Sequence, residues 1–474
     1  RDGAVVFASS PTTTTKKKKK KKPASASGSG NGNANASGNA APAVSAPTSL
    51  ARRSRDWGSC WRGTERRKAV LKALDAIFQM SDNPTNFEQF GNDMIQCFYD
   101  IASVTAEPVR HRALMYVENL SQRWRHSILS RGWRPIVEDT FSAPPPQKIL
   151  DVVVGLYCME RVGVSSAKLK RDVQSVLAKI KGLRLQGYAA ADYLGWDPRK
   201  GPPQRPRDVM SGAPTSRYRA LCTALTYAFY ADAVGLSLGF SDDDAPSDDA
   251  DDADAPSDDA DADATGKKKK ERGGFSYAEI LSHVAKVRPY RGPRGFAKFD
   301  EYVDQCYLVT HVIFTLSQWG ELALEPRLLP HEYFFLKENF LVAVRQRDVH
   351  LVGEYLECLR VFGANDADPN VKLGVAFLLE AQNEDTHTWD DTGDAYTCYH
   401  ATMVAAQGLL AHAPRGSGPG VLSAVNVLDQ WLNDGGNNGN DGEDVIVLDD
   451  DDSDDDDERR HVVRKRRHQR AHPD

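Results

Sequence analysis

Between positions 387 and 400 lie six side chains able to bind a metal ion or to act as acid, base or nucleophile: His387, Asp390, Asp391, Asp394, Cys398 and His400. Imidazole, thiolate and carboxylate are the ligands zinc takes, so so dense a window calls for a metal test. The spacings follow no structural zinc pattern, and Asp390 to Asp394 reads instead as a turn and helix start, where carboxylates complement the helix dipole. The expectation is therefore no metal and no cofactor, with His387, Cys398 and His400 as the candidate ligands if one binds. A second set joins His311, His331 and His350 to Cys306 and Cys358. A Cys–His pair would supply a thiolate nucleophile and its base. Cys306 and His311 are five apart, a poor fit to one helix face, and His311 stands among apolar neighbours as a buried, hydrogen-bonded core histidine would. No G-x-S-x-G, H-E-x-x-H or phosphate-cradling glycine loop occurs, and Gly292-Pro293-Arg294-Gly295 reads as a turn. No catalytic residue is assigned.

The sharpest binding signal lies near the C-terminal end. Asp444 precedes Val445, Ile446, Val447 and Leu448, which run into Asp449, Asp450, Asp451, Asp452, Ser453 and the acidic stretch to Glu458. Four β-favouring apolar residues inside an acidic segment resemble a SUMO-interacting motif. The resemblance implies a short strand added to the edge of the modifier's sheet, main-chain bonds giving affinity and alternate side chains filling a groove. The neighbouring acids would meet a basic rim, and a phosphate on Ser453 would add charge of the same sign. A chance apolar tetrapeptide, or a strand docking on the protein's own body, would leave the same trace. Beyond it come Arg459, Arg460, Arg464, Lys465, Arg466, Arg467 and Arg470. Arg464 to Arg467 form a basic cluster of the kind nuclear import machinery reads. Direct nucleic-acid binding is possible but not favoured, because no aromatic residues are interleaved for stacking.

The elements that must position these groups are helices. Val70, Leu71, Leu74, Ile77 and Phe78 recur at offsets of three and four, as do Phe87, Phe90, Met94 and Phe98, and then Leu114, Val117, Leu120 and Trp124. Pro144 to Pro146 break the pattern, which resumes at Ile149 to Val162 and Leu169 to Ile180. Gly195 to Pro214 is too rich in proline for a helix, whereas Leu221 to Leu238 reads as an almost wholly apolar one. Further faces are marked by Val309, Val312, Ile313, Leu316 and Trp319, by Phe334, Phe335, Leu341 and Val344, and by Val352, Tyr355, Leu356, Leu359 and Phe362 up to a C-terminal Gly363. Asn370 reads as the cap of a helix over Val371 to Ala381, followed by helices at Tyr396 to Leu410 and Val421 to Leu432. Period-two alternation is nearly absent. The fold class expected is all-α, with antiparallel helix pairs in an α/α bundle or toroid-like array.

Phe377-Leu378-Leu379-Glu380-Ala381-Gln382-Asn383-Glu384-Asp385, then Trp389 and the run Tyr396 to Thr402, resembles one repeat of the α/α-toroid proteins, the terpenoid cyclases and protein prenyltransferases. There a helix ends in Gln, followed by an Asp-Gly turn and a Trp. Thr386 stands in place of the turn glycine, and the Gln-to-Trp spacing is longer by one. Neither the cyclases' aspartate-rich motif nor the prenyltransferases' Asp and Cys zinc pair has an ordered counterpart. The resemblance implies architecture more than chemistry.

Of the 474 residues, 41% are hydrophobic, an average diluted by polar segments, so the remainder is apolar enough for a sizeable core. Residues 1–63 read as a low-complexity tail with the lysine run Lys16 to Lys22, 64–240 as a first helical region, 241–274 as an acidic and basic insert, 275–433 as a second helical region packed with the first, and 434–474 as the charged tail. The net charge of −6 is the residue of opposing blocks, so it says little about a partner. Seven scattered cysteines without a Cys-x-x-Cys pair suit free thiols in a reducing compartment. No apolar stretch is long enough for a membrane span. The chain begins at Arg1, so an organellar targeting peptide stays open, with nucleus the expected location and cytoplasm the alternative. The reading these features favour is a nuclear helical interaction protein bound to SUMO or SUMO-modified partners. Its rivals are a toroid enzyme of cyclase or transferase type, which would need a large apolar cavity with convergent acids, and a helical scaffold of unknown role.

Overall fold

A computed structural model describes residues 63–124, 126, 153–155, 157–158, 161, 191, 194–208, 212–235, 276–390 and 394–437. The N-terminal tail, the insert, the apolar tetrapeptide Val445 to Leu448 with Asp449, Asp450 and Ser453, and the basic cluster Arg464 to Arg467 lie outside these residues. The first compact unit runs to Trp431, and the packing below is within it.

The architecture is all-α. Successive helices are α1 (Gly63–Met80), α2 (Pro84–Val104), α3 (Val109–Trp124), α4 (Arg217–Ala233), α5 (Tyr277–Ser282), α6 (Phe299–Leu316), α7 (Pro330–Gln346), α8 (Val349–Val361), α9 (Pro369–Ala381), α10 (Ala395–Gly408) and α11 (Val425–Asn437). Val153, Tyr157, Cys158 and Arg161 are helical as well. The one sheet among the described residues is a two-residue parallel pair, β1 (Leu322–Ala323) against β2 (Gly416–Ser417).

Short polar side chains start these helices by capturing the amides that have no intrahelical acceptor. Asn83 accepts from Thr85 N–H at 2.9 Å, Ser216 from Arg219 N–H at 3.0 Å, and Asp348 from Leu351 N–H at 3.0 Å. Ser276 and Glu279 form a reciprocal capping box on α5. Asp394 caps α10, as the aspartate-rich window suggests. The cap of α9 is Asp368, not Asn370: its carboxylate accepts from Asn370 N–H at 2.8 Å, and Pro369 fills the first helical position, where no amide is needed.

Helix α8 is the axis of the body. Every residue from Leu351 to Val361 is buried, so the helix has no solvent face. It packs against α10 most extensively, and also against α6, α7 and α9. Two glycines permit its approach to α10. A Cβ on Gly353 would stand 2.5 Å from the Val404 carbonyl oxygen, and one on Gly408 would meet Gly353 O at 2.9 Å. The helices packed on α8 thus enclose it completely.

Four assignments of face or extent need correction. In α7 the buried stripe is Phe335, Leu336, Asn339, Phe340, Ala343 and Val344, while Phe334 and Leu341, seven apart and so on one side of the helix, fall outside that stripe and are 61% and 41% exposed. Leu114 likewise falls outside the buried face of α3, with Ala113 taking the inner place. Helix α4 ends at Ala233, where Val234 leaves helical geometry and Gly235 takes a positive φ of 68°. The expected helix from Val421 begins only at Val425, after a 3-10 turn at Leu422–Ala424.

Candidate functional site

Histidines from both sequence sets meet where α4, α6, α8 and α10 converge. His311 projects from α6, His350 from the first turn of α8 and His400 from α10, into a pocket they share with Arg219, Glu354 and Tyr396. The volume is about 30 Å³, room for one or two water molecules. His350 and Glu354 are four apart on α8 and so lie on one face of it.

The His350 and His400 rings are stacked, with centroids 5.1 Å apart and planes inclined by 17°. Their Nδ1 atoms stand 2.8 Å apart. One ring must donate and the other accept, so the neutral pair shares a single proton on that edge. Burial lowers the pKa of both; in His400 the neighbouring His350, His311 and Arg219 lower it further, while Asp348 and Asp390 act in the other direction on His350.

His311 is held neutral in another way. Its Nδ1–H donates to the Tyr307 carbonyl at 2.8 Å, and burial depresses its pKa to about 4. Glu354 accepts from Thr310 Oγ1 at 2.6 Å, yet burial outweighs that bond and pushes its carboxyl up to about 8. It is therefore protonated at neutral pH. At the rim, Arg219 Nε donates to Asp304 Oδ1 at 2.8 Å, Ser216 Oγ donates to Oδ2 of the same carboxylate, and the guanidinium lies 4.8 Å from the centre of the Tyr307 ring. The pocket can hold water and pass a proton between α8 and α10. A substrate of several atoms would have to displace side chains to enter.

The other candidates do not join it. His387 lies in the α9–α10 connection with φ 62°, its backbone N–H on Asn383 O and its carbonyl taking Gln382 Nε2 at 3.1 Å. Cys398 is on α10 but does not line the pocket. Cys306 is buried near Tyr302 and Tyr355, Cys358 Sγ is 3.8 Å from Thr310 O, and burial raises both thiols, that of Cys306 to about 12. His331 starts α7, beside Arg288 and Glu332. Among the described residues no group of three or more His, Cys, Asp or Glu side chains could hold a metal ion. The Gln382 and Trp389 of the toroid-like stretch serve the turn itself: Trp389 Nε1 donates to Leu378 O at 2.7 Å, pinning the connection back on α9.

Several charged groups escaped the sequence reading. Asp100, Glu321 and Glu357 are buried, and the half-buried Arg161 pairs with Glu321. Burial, and then Glu321, raise Asp100; burial lifts Glu357 to about 8, with Glu354 adding to it. Asp93, on the same helix as Asp100, is pushed by burial to about 7. A signal existed for Glu354 and Glu357, since both interrupt the apolar run from Leu351 to Leu359. Nothing local marks Asp100 or Arg161.

Compared with known protein families, with curated proteins and with solved structures, the chain matches none.

Proposed function

We propose that this protein is a helical interaction scaffold that engages SUMO or SUMO-modified partners through Val445, Ile446, Val447 and Leu448, and that Arg464, Lys465, Arg466 and Arg467 direct it to the nucleus. The motif itself carries the reading: four β-favouring residues followed at once by Asp449 and Asp450, with Ser453 inside the acidic run. The helical body is consistent with a scaffold role. One of its helices is buried on all sides, and its histidine pocket is no larger than a few atoms.

A cyclase or transferase reading would draw support from a roomy apolar cavity ringed by acids. The buried carboxyls Glu354 and Glu357 are instead packed on the central helix. Titration of the full chain into isotope-labelled SUMO tests the proposal. Saturable shifts along the edge strand are expected, at roughly micromolar affinity because an ordering segment spends part of its contact energy on folding. They should vanish when Val445, Ile446 and Leu448 are changed together to Ala. Shifts unaffected by that triple change, or none at all, would overturn the reading.

A further inference from the structure

A second concavity lies away from the histidine pocket, between the C-terminal end of α4 and the 420–423 segment, with a volume of about 640 Å³. That is the size of a small-molecule site. Its lining includes Tyr157, Phe229, Gln318, Arg161 and Asp232. We propose that this groove is a binding site for a small organic cation, an amine carrying an apolar or aromatic body.

The charge balance of the wall points to that class. Arg161 is already engaged: it forms an ion pair with buried Glu321, donates to Gln318 Oε1 at 3.2 Å, and lies 5.4 Å and 5.6 Å from the ring centres of Tyr99 and Tyr157. Its positive charge is spent inside the protein. Asp232 is in the opposite condition. Its Oδ2 accepts the Tyr277 backbone N–H at 2.8 Å, and no cation pairs with it among the described residues. Glu279 lies near enough to add negative potential, and burial already holds Asp232 up at about 6. At neutral pH the groove therefore offers, among the described residues, a carboxylate without a counter-charge beside two aromatic residues, Tyr157 and Phe229. An ammonium group answers both, through its charge and through attraction to the ring quadrupole.

The wall is also rigid. Gln318, Trp319 and Gly320 all take left-handed backbone angles, φ 53°, 57° and 82°. Two bulky residues in succession hold that conformation only where their surroundings impose it. Here Gln318 Nε2 donates to Gly420 O at 2.8 Å, and Trp319 stacks on Tyr230 and Phe314 with planes inclined by 8° and 22°. Both polar ends of Gln318 are thereby engaged, which leaves Asp232 to select the ligand.

Phenethylamine, with 2-phenylethanol as its uncharged counterpart, tests the assignment on the full chain by calorimetry and saturation-transfer NMR. The amine should bind at least about tenfold more tightly than the alcohol near pH 7.5. Asp232→Asn should remove that preference while keeping the melting temperature close to the parent's, because an amide oxygen can still accept the Tyr277 N–H. Should the variant fold poorly, the parent decides alone: amine affinity should fall as pH drops from about 7.5 to about 5, as Asp232 takes a proton, with alcohol binding unchanged. Equal binding of amine and alcohol, no amine binding at roughly 10 mM, or a pH-independent preference would overturn the proposal.

Discussion

The Nδ1 atoms of His350 and His400 lie 2.8 Å apart across the crossing of α8 and α10, so the buried helix α8 and the helix that packs on it most extensively share one proton. Both rings are held neutral by burial. A group whose folded pKa is depressed contributes stability that is present above its unfolded pKa and is lost as pH falls through the folded one. Acidification below about 6.5 should thus destabilise the protein, and the doubly protonated pair, two cations with facing N–H donors, is the extreme case. His400→Phe should lower the melting temperature at neutral pH by roughly 2–4 °C and narrow the gap between neutral and acidic melts. Parallel pH curves for parent and variant would show that the pair is not the sensor.

Glu354 runs the opposite way. Its folded pKa of about 8 exceeds the ordinary 4.5, so the stability it contributes is complete below 4.5 and is lost as pH rises through 8. Glu354→Gln keeps an acceptor for Thr310 and cannot ionise. Urea unfolding should show the variant gaining on the parent between about pH 5 and pH 9, with the two closest at the acid end. A constant difference across that range would mean that Glu354 is ionised in the folded protein.

Gly353 tests the helix crossing. An alanine there would push its Cβ to 2.5 Å from the Val404 carbonyl oxygen, a backbone atom that cannot rotate away. Overpacking of this kind costs about 1–3 kcal/mol. Phe334→Ser, on the exposed side of α7, should stay within about 0.5 kcal/mol of the parent. Denaturant midpoints of the two variants should separate accordingly, and equal midpoints would argue that α8 and α10 can slide apart at little cost.

Leu359 and Leu356 lie on the axis, both with no exposure. Leu359→Ala should cost about 2–5 kcal/mol, because contacts on every side of α8 prevent the gap from closing. A loss under about 1 kcal/mol, measured by chemical denaturation, would mean that the centre of the body collapses freely and is not a packed core.

The acidic run after Leu448 should act as a screened rim. Changing Asp449 and Asp450 to Asn should weaken SUMO binding more at low salt than at high salt, since exposed charges interact within a screening length of about 8–10 Å. Phosphate on Ser453 should strengthen it by added negative charge. Calorimetry at two ionic strengths reads both effects, and an acid-independent affinity would assign the contact wholly to Val445, Ile446 and Leu448.

Much of the fold was legible along the chain because a helix writes itself locally. Three- and four-residue apolar spacing marked the helices, and the aspartate before Tyr396 announced a helix start that Asp394 supplies. Local patterns failed where two apolar neighbours competed for one inward position, as at Phe334 and Phe335, since only the neighbouring helices decide which is covered. The cap of α9 was missed by two residues because Asn370 and Asp368 are both good caps, and only the Pro369 between them breaks the tie.

The composition of the histidine pocket was beyond any local signal. His311 stands among apolar residues, His350 just after a charged turn and His400 beyond an acidic window, and they meet because α6, α8 and α10 converge, α8 and α10 through close contacts at Gly353 and Gly408. Sequence by itself determined the all-α class and the position of most helices, since each depends on neighbours a few residues away. Which acids lose their charge, which histidines share a proton and which carboxylate lines a groove were decided only by tertiary structure. Desolvation and pairing depend on what the other helices bring, and Arg161 reaches Glu321 across 160 residues of chain that no local pattern connects.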